Sequence, residues 1–161
     1  MKEKTKTQIV FEVVKIKQIV RKKKLKLLEK IDTPAKTASI VRSHIGNDDR
    51  EVFLIICLNA NLKIIAIHRC HVGTVNSVNV SIGDVFKTCL LNNASTFIVA
   101  HNHPSCDATP SPEDIDLTRK LIEAGEILNI PLQDHIIVTQ IGDYTSIVKE
   151  YISPFSRRVN L

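Results

Sequence analysis

The sequence predicts an α/β fold in which a mixed β-sheet is flanked by helices. Short apolar runs typical of buried strands, such as 52–58 and 97–100, alternate along the chain with segments of helical periodicity. One pair of runs is separated only by a turn and predicts an antiparallel pair, whereas helices separate most of the others. The 161 residues, 43% of them apolar, indicate one domain with a core of its own.

The first elements begin in a lysine-rich segment. Gln8–Ile19 alternates apolar and polar residues in places and is predicted to be a strand, followed by an exposed basic connector. Thr33 is placed as an N-cap before proline, which predicts a helix over Pro34–Ile45 that ends at a glycine. Val52–Leu58 and Leu62–His68 are predicted to be two strands joined by an asparagine-rich turn.

The second half alternates helices and strands. Ser81 and Asp84 form a capping-box pattern, which predicts a helix to about Leu91. A proline-rich loop over 102–111 precedes a helix whose apolar residues share one face, and these residues are Ile115, Leu121, Ile122 and Leu128. The elements predicted after Leu91 are strand Phe97–Ala100, helix Pro112–Leu128, strand His135–Thr139 and, after a turn at 142–143, strand Tyr144–Val148.

The charge of the chain is divided unevenly. Residues 1–30 hold 11 Lys/Arg and 3 Asp/Glu, or +8, and the remaining 31–161 hold 11 Lys/Arg and 14 Asp/Glu, or −3. We therefore expect a basic N-terminal strand or flank over 1–30 and one folded domain over 31–161. The flank could bind nucleic acid through phosphates, or it could simply be a solvated basic surface, since no aromatic residue interrupts Arg21–Lys24.

Composition also predicts the compartment. The four cysteines lack the spacing of a disulfide framework or a zinc knuckle, which indicates free thiols in a reducing environment. No apolar run approaches the roughly 20 residues that span a bilayer. We therefore expect a cytoplasmic protein without a membrane partner, and the sequence does not indicate an oligomeric state.

The most informative residues are His101 and His103, which follow the apolar run Phe97–Ala100. Residues i and i+2 of a strand point to the same face, so both imidazoles can reach one ion. Asp114 opens the next helix and can supply a carboxylate. Two histidines and one aspartate leave a fourth position of a tetrahedral zinc open, as in catalytic sites, although the same set could hold Fe(II).

Several residues near this pattern have two interpretations. Ser111 and Asp114 fit a helix N-terminus, but Ser111 could also donate a hydrogen bond to a developing oxyanion. Glu51 is a candidate general base, or a solvated acid in a charged run, and other acids could serve. Asp134 and His135 are either a pair behind the ligands or the start of a strand.

Together these residues resemble a known motif. Glu51, His101-Asn102-His103-Pro104 and Ser111-x-x-Asp114 are similar to the JAMM (MPN-plus) metalloprotease motif, and His-Asn-His-Pro-Ser resembles its RadC branch. Further segments agree, and the resemblance covers roughly residues 30–150. Cys106 stands where RadC-like proteins usually carry glycine, Ile82-Gly83-Asp84 replaces a usual Pro-Arg-Glu, and position 133 is glutamine where an apolar residue is common.

The resemblance implies a JAB/MPN fold similar to the cytidine-deaminase-like sandwich, and a zinc-dependent hydrolase, most simply a peptidase or isopeptidase. It implies that His101, His103 and Asp114 hold Zn²⁺, that Glu51 takes a proton from water and passes it to the leaving nitrogen, and that Ser111 stabilises the oxyanion. The alternatives are a DNA-associated protein, such as a metal-dependent nuclease or a repair or mobile-element accessory, and a metal-binding scaffold without catalysis.

Overall fold

The computed structural model describes residues 30–73 and 80–153, which contain one five-stranded sheet with helices on both faces. The elements are α1 (Pro34–Ile45), β1 (Val52–Leu58), β2 (Ile64–Val72), α2 (Ile82–Leu91), β3 (Thr96–Asn102), α3 (Pro112–Leu128), β4 (Leu132–Val138), β5 (Tyr144–Ser146) and a π-helical turn over Val148–Ile152. This confirms the predicted α/β class. The predicted strand Gln8–Ile19 and the basic connector lie outside the described residues.

The strands lie in the order β2-β1-β3-β4-β5. β1 is antiparallel to both β2 and β3, β3 is parallel to β4, and β4 is antiparallel to β5. The expectation of a single antiparallel pair was therefore wrong, because the described sheet has three. The connection through α2 makes β3 parallel to β2. It passes over β1, so β3 pairs with the side of β1 opposite to β2.

The sheet is covered on both faces, which is why every residue of β1 is buried. Leu54, Ile56 and Leu58 point to the face covered by α1. The alternate residues Phe53, Ile55 and Cys57 point to the face covered by α2 and α3. The core therefore has two layers separated by the sheet, and a site on β3 can be reached from the α3 layer.

Several strand boundaries differ from the prediction: β3 spans Thr96–Asn102 where Phe97–Ala100 was predicted, and both ends of β2 differ for identifiable reasons. β2 begins at Ile64 and not at Leu62, because Leu62 has φ 56° and belongs to the turn. It continues past His68 to Val72, since an edge strand can carry polar residues on its open side. β4 begins at Leu132, three residues before the predicted start.

The predicted strand Tyr144–Val148 ends early, at Ser146. The buried carboxylate of Asp134 accepts hydrogen bonds from the Ser146 hydroxyl at 2.7 Å and from the Val148 amide at 3.3 Å. These bonds hold the chain where it turns out of the sheet into a π-helix. A local sequence pattern could not predict this end of β5, because Asp134 lies twelve residues before Ser146.

Two helix predictions also need correction. The N-cap Ser81 makes no side-chain capping bond, and Asp84 instead accepts from Lys87 Nζ at 2.6 Å. On α3 the buried residues are Thr118, Leu121 and Gly125, whereas Leu128 is 43% exposed. A Cβ on Gly125 would lie 2.7 Å from the Ile130 carbonyl, so the helix turns a narrow side toward the following strand.

The four cysteines are free in the structure, and Cys57 and Cys89 are buried in the core. Among the described residues, none of the helices has both the length and the apolar character that crossing a membrane requires.

Candidate metal centre

His101 and His103 meet at the end of β3. The strand runs to Asn102, so the two side chains point to the same face, and their Nε2 atoms are 3.0 Å apart. His101 is fully buried, whereas His103 is 16% exposed at the margin. Nδ1 of His103 donates to the Asp107 carbonyl at 2.6 Å, which can only accept, so Nε2 of a neutral His103 carries a lone pair.

Asp114 reaches the same point from the first turn of α3. Ser111 is the N-cap, and its hydroxyl oxygen accepts from the Asp114 amide at 3.1 Å while its own amide donates to Asp114 Oδ2 at 2.9 Å. The capping box therefore forms, and it leaves Oδ1 directed to His101, 3.4 Å from Nε2. Capping and metal binding, posed as alternatives for Asp114, are structurally compatible because each uses a different oxygen.

Glu51 directly precedes β1 and lies 50 residues before His101 in the sequence. The antiparallel register pairs Phe53 with His101, which places the residue just before β1 beside the end of β3. Glu51 Oε1 is 3.9 Å from His101 Nε2. The structure thus brings together all five residues selected from the sequence: Glu51, His101, His103, Ser111 and Asp114.

The segment that carries Glu51 is held by the residue between the two histidines. The buried Asn102 side chain accepts from the Val52 amide at 2.8 Å and donates to the carbonyls of Asp48 and Arg50 at 3.2 and 3.0 Å. Because neighbouring strand residues point to opposite faces, Asn102 can bind this segment while the histidines face the site.

The spacing of the donor atoms fits one small cation. Ligands bound to tetrahedral zinc at 2.0–2.1 Å lie about 3.3 Å from one another. The corresponding separations are 3.0 Å between the histidine Nε2 atoms, 3.4 Å from His101 to Asp114 and 4.0 Å from His103 to Asp114. Glu51 shares a possible metal-binding cluster with both histidines and lies slightly farther out. Two imidazoles and a carboxylate also suit Fe(II).

Burial controls the protonation of these groups. Desolvation lowers the pKa of His101 to about 4, which leaves its ring neutral at pH 7 and able to offer a lone pair. Burial also raises the pKa of Glu51 above its ordinary value, and the Asp114 carboxylate adds to the rise while His103 opposes it. A carboxylate with a raised pKa is a better proton acceptor for chemistry near neutrality.

Sequence reasoning left the role of His135 open and missed Thr118. His135 is fully buried, and its Nε2 lies 2.8 Å from His101 Nδ1. The Asp134–His135 pairing, one of the two interpretations of these residues, exists only through the backbone, since Asp134 accepts from the His135 amide. The available signal was polarity in buried positions: Thr118 follows Asp114 by four residues and precedes Leu121 by three, on the same side of α3.

The loop after β3 contains one strained residue. Cys106, at the position where the resembling proteins usually carry glycine, has φ 61°. Its amide donates to the His103 carbonyl at 3.2 Å, so this turn leads directly to the Asp107 carbonyl that binds His103. The loop therefore adopts a conformation that suits glycine although its residue has a side chain.

Replacing Cys106 with glycine should raise the free energy of unfolding by about 0.5–1 kcal/mol, because the left-handed conformation costs roughly 1–2 kcal/mol for other residues and the flexibility of unfolded glycine offsets part of the gain. Cys106→Ala removes the thiol but keeps the Cβ, so it should give no such increase. Urea denaturation of both variants measures the difference. Equal unfolding free energies for the wild type and Cys106→Gly would contradict backbone strain at this position.

The chain is similar in sequence to a known protein family. The family model described as a RadC-like JAB domain matches residues 31–152, about three quarters of the chain. The chain belongs to the RadC-like JAB domain family. The match includes the β-sheet, α3 and all five residues of the centre.

Two similar relatives of this RadC-like protein carry the family label UPF0758. A UPF0758 protein of Desulforudis audaxviator is 42% identical over 108 residues, covering 67% of this chain and 47% of the relative. A UPF0758 protein of Chloroflexus aggregans is 38% identical over 117 residues, covering 73% and 51%. The RadC-like chain thus spans about half the length of these relatives. Its histidine and carboxylate cluster fits a metal-dependent JAB domain.

Proposed function

We propose that this RadC-like protein is a zinc-dependent hydrolase that cleaves peptide or isopeptide bonds. The observation that supports the proposal most directly is the convergence of three donor groups, His101, His103 and Asp114, with a second carboxylate, Glu51, at their margin. Three protein ligands leave a coordination position open for water or substrate, which is typical of catalytic zinc sites.

The residues divide the chemistry between them. Bound zinc would polarise the scissile carbonyl and make water more acidic. His101, His103 and Asp114 would hold the ion, and Glu51 Oε1 would accept the proton of the attacking water and deliver it to the leaving nitrogen. Ser111 Oγ, which donates to Asp114 Oδ2 at 2.6 Å in the structure, would turn to donate to the developing oxyanion.

The charge around the opening favours an amide substrate over a phosphodiester. Three carboxylates interact electrostatically with His103, namely those of Glu51, Asp114 and the loop residue Asp107. Bound zinc would cancel two of these three negative charges. The remaining negative charge would repel a phosphate backbone, whereas a neutral amide does not experience this repulsion.

Metal analysis followed by a substrate screen tests the proposed function. Protein purified without added metal is analysed for its metal content, reconstituted with zinc, and assayed on peptides, isopeptide-linked lysine substrates and single- and double-stranded nucleic acids. We expect one zinc per chain and zinc-dependent amide hydrolysis. Preferential binding of iron, or cleavage of nucleic acid alone, would contradict the proposal.

The DNA-associated alternative depends on the sequence of the basic flank, residues 1–30, and stays a prediction because most of that segment lies outside the described residues. The proposed hydrolase does not require it. Binding through lysine and arginine contacts to phosphates would weaken steeply with added salt.

Ser111→Ala should lower turnover by about 100-fold, the scale of a lost oxyanion donor, while costing only ~1 kcal/mol of unfolding free energy as a lost N-cap. Thr33→Ala is the matched control, because Thr33 caps α1 through its side chain at a distance from the ligands. It should cost similar stability and leave turnover unchanged. A Ser111 variant that loses stability but keeps full turnover would limit this residue to capping.

A further inference from the structure

A hydrogen-bonded chain of side chains lies behind His101, and the proposed hydrolase mechanism assigns these side chains no role. His101 Nδ1 contacts His135 Nε2 at 2.8 Å, and His135 Nδ1 contacts the Thr118 hydroxyl at 2.7 Å. The Thr118 hydroxyl also donates to the Asp114 backbone carbonyl at 2.6 Å. His101, His135 and Thr118 are each fully buried, so these contacts are shielded from water.

The direction of each hydrogen bond follows from the contact between the Thr118 hydroxyl and the Asp114 backbone carbonyl. A carbonyl oxygen can only accept, so the single hydroxyl proton of Thr118 is used on Asp114. The Thr118 oxygen must then accept, and the proton it receives is the one on His135 Nδ1. A buried imidazole without a carboxylate partner is neutral, so Nε2 of His135 carries a lone pair and accepts from His101 Nδ1–H.

We propose that Thr118 and His135 are positioning residues that hold His101 in the tautomer with its proton on Nδ1, which leaves the Nε2 lone pair directed at the metal. This inference rests on the proposed function, since it assumes an ion between His101, His103 and Asp114. Metal-bound histidines are commonly oriented by an acceptor on the other ring nitrogen. Here the acceptor is a second histidine, whose own tautomer is set by a threonine.

Packing supports the same arrangement. The Phe53 ring stacks on His101 with an interplanar angle of 13° and meets His135 edge-on at 71°. These contacts oppose rotation of either imidazole. Both ends of the hydrogen-bonded chain meet Asp114. The chain starts at the Asp114 backbone carbonyl, and its other end, His101 Nε2, lies 3.4 Å from the Asp114 carboxylate. The α3 residue that supplies a ligand therefore also anchors the orientation of another ligand.

The test is Thr118→Val, which keeps the shape of the side chain and removes its oxygen. Without this acceptor, His135 can move its proton to Nε2 and donate to His101, whose own proton then occupies the metal-facing Nε2. Zinc affinity, measured by competition with a chromophoric chelator, should fall by about 10-fold or more, the usual scale for a lost partner of a metal-bound histidine. Thr118→Ser retains the hydroxyl and should restore the affinity.

Thr88→Val is the matched control. Thr88 is also a buried helical threonine, and its hydroxyl donates to the Asp84 carbonyl four residues earlier, at 3.0 Å. It lies on α2, which supplies none of the proposed ligands. Its substitution should leave zinc affinity unchanged, so that an equal loss in both variants would indicate a general effect of the substitution and overturn the inference.

A second measurement needs no variant. Long-range ¹H–¹⁵N spectra of the zinc-free wild-type protein report which nitrogen of each imidazole carries a proton. We expect Nδ1–H for both His101 and His135. A wild type that binds no zinc would refute the proposed function, whereas a wild type that binds zinc but shows Nε2–H on His101, or a Thr118→Val variant with full affinity, would refute only the positioning role.

Discussion

Glu51→Gln is expected to retain zinc and to lose roughly 10²- to 10⁴-fold in hydrolysis, the range for removal of a general base. The amide has nearly the shape of the carboxylate but cannot accept the proton of water. Glu51 Oε1 lies 3.9 Å from His101 Nε2, farther than Asp114 Oδ1 at 3.4 Å, which favours proton transfer over ligation for Glu51. Zinc stoichiometry and initial rates measured on the same preparation separate these two roles.

Asp49→Asn is the control for this change. It makes the same carboxylate-to-amide substitution in the same charged run, at an exposed position two residues earlier. Its rate should equal that of the wild type. If Glu51→Gln loses zinc together with activity, Glu51 is a ligand and its assignment as the base is wrong.

His103→Ala and His101→Ala are expected to abolish stoichiometric zinc binding, because each removes one of the three proposed ligands. His103 gives the clearer test, since it is partly exposed and its loss should leave the core intact, whereas His101 is fully buried. Metal content after dialysis, measured alongside circular dichroism, distinguishes loss of the site from loss of the fold.

His68→Ala provides the matched control, because His68 is an exposed histidine on the edge strand β2. It should keep one zinc per chain. Stoichiometric zinc in a His101→Ala, His103→Ala double variant would contradict the proposed centre.

Local patterns were sufficient to predict most elements of the fold. Thr33 and Ser111 precede prolines at helix starts, and the bounds predicted for α1, β1 and α3 are those observed. The pattern failed where the decisive partner is distant in the sequence. Asp134, for example, ends β5 by binding Ser146 and Val148, and the α2 crossover makes β3 antiparallel to β1.

The same distinction applies to the site. His101 and His103 could be found because strand geometry alone puts them on one face. Glu51 needed the β1–β3 register, which residue patterns do not specify. The residues alone left it as either a general base or a solvated acid, and only the motif resemblance favoured the base. His135 and Thr118 meet only because β4 runs parallel to β3 under α3, and neither carries a local signal strong enough to identify that contact.

The amide of Asn102 has a mechanical consequence. It ties the segment that carries Glu51 to the same strand end that carries both histidines, so the spacing between these groups is fixed by direct hydrogen bonds. Asp114 belongs to a different element, reached through the loop after β3. The proposed base and two of the proposed ligands therefore share one hydrogen-bonded support, and a substitution at Asn102 would displace all three together while leaving Asp114 on its separate attachment.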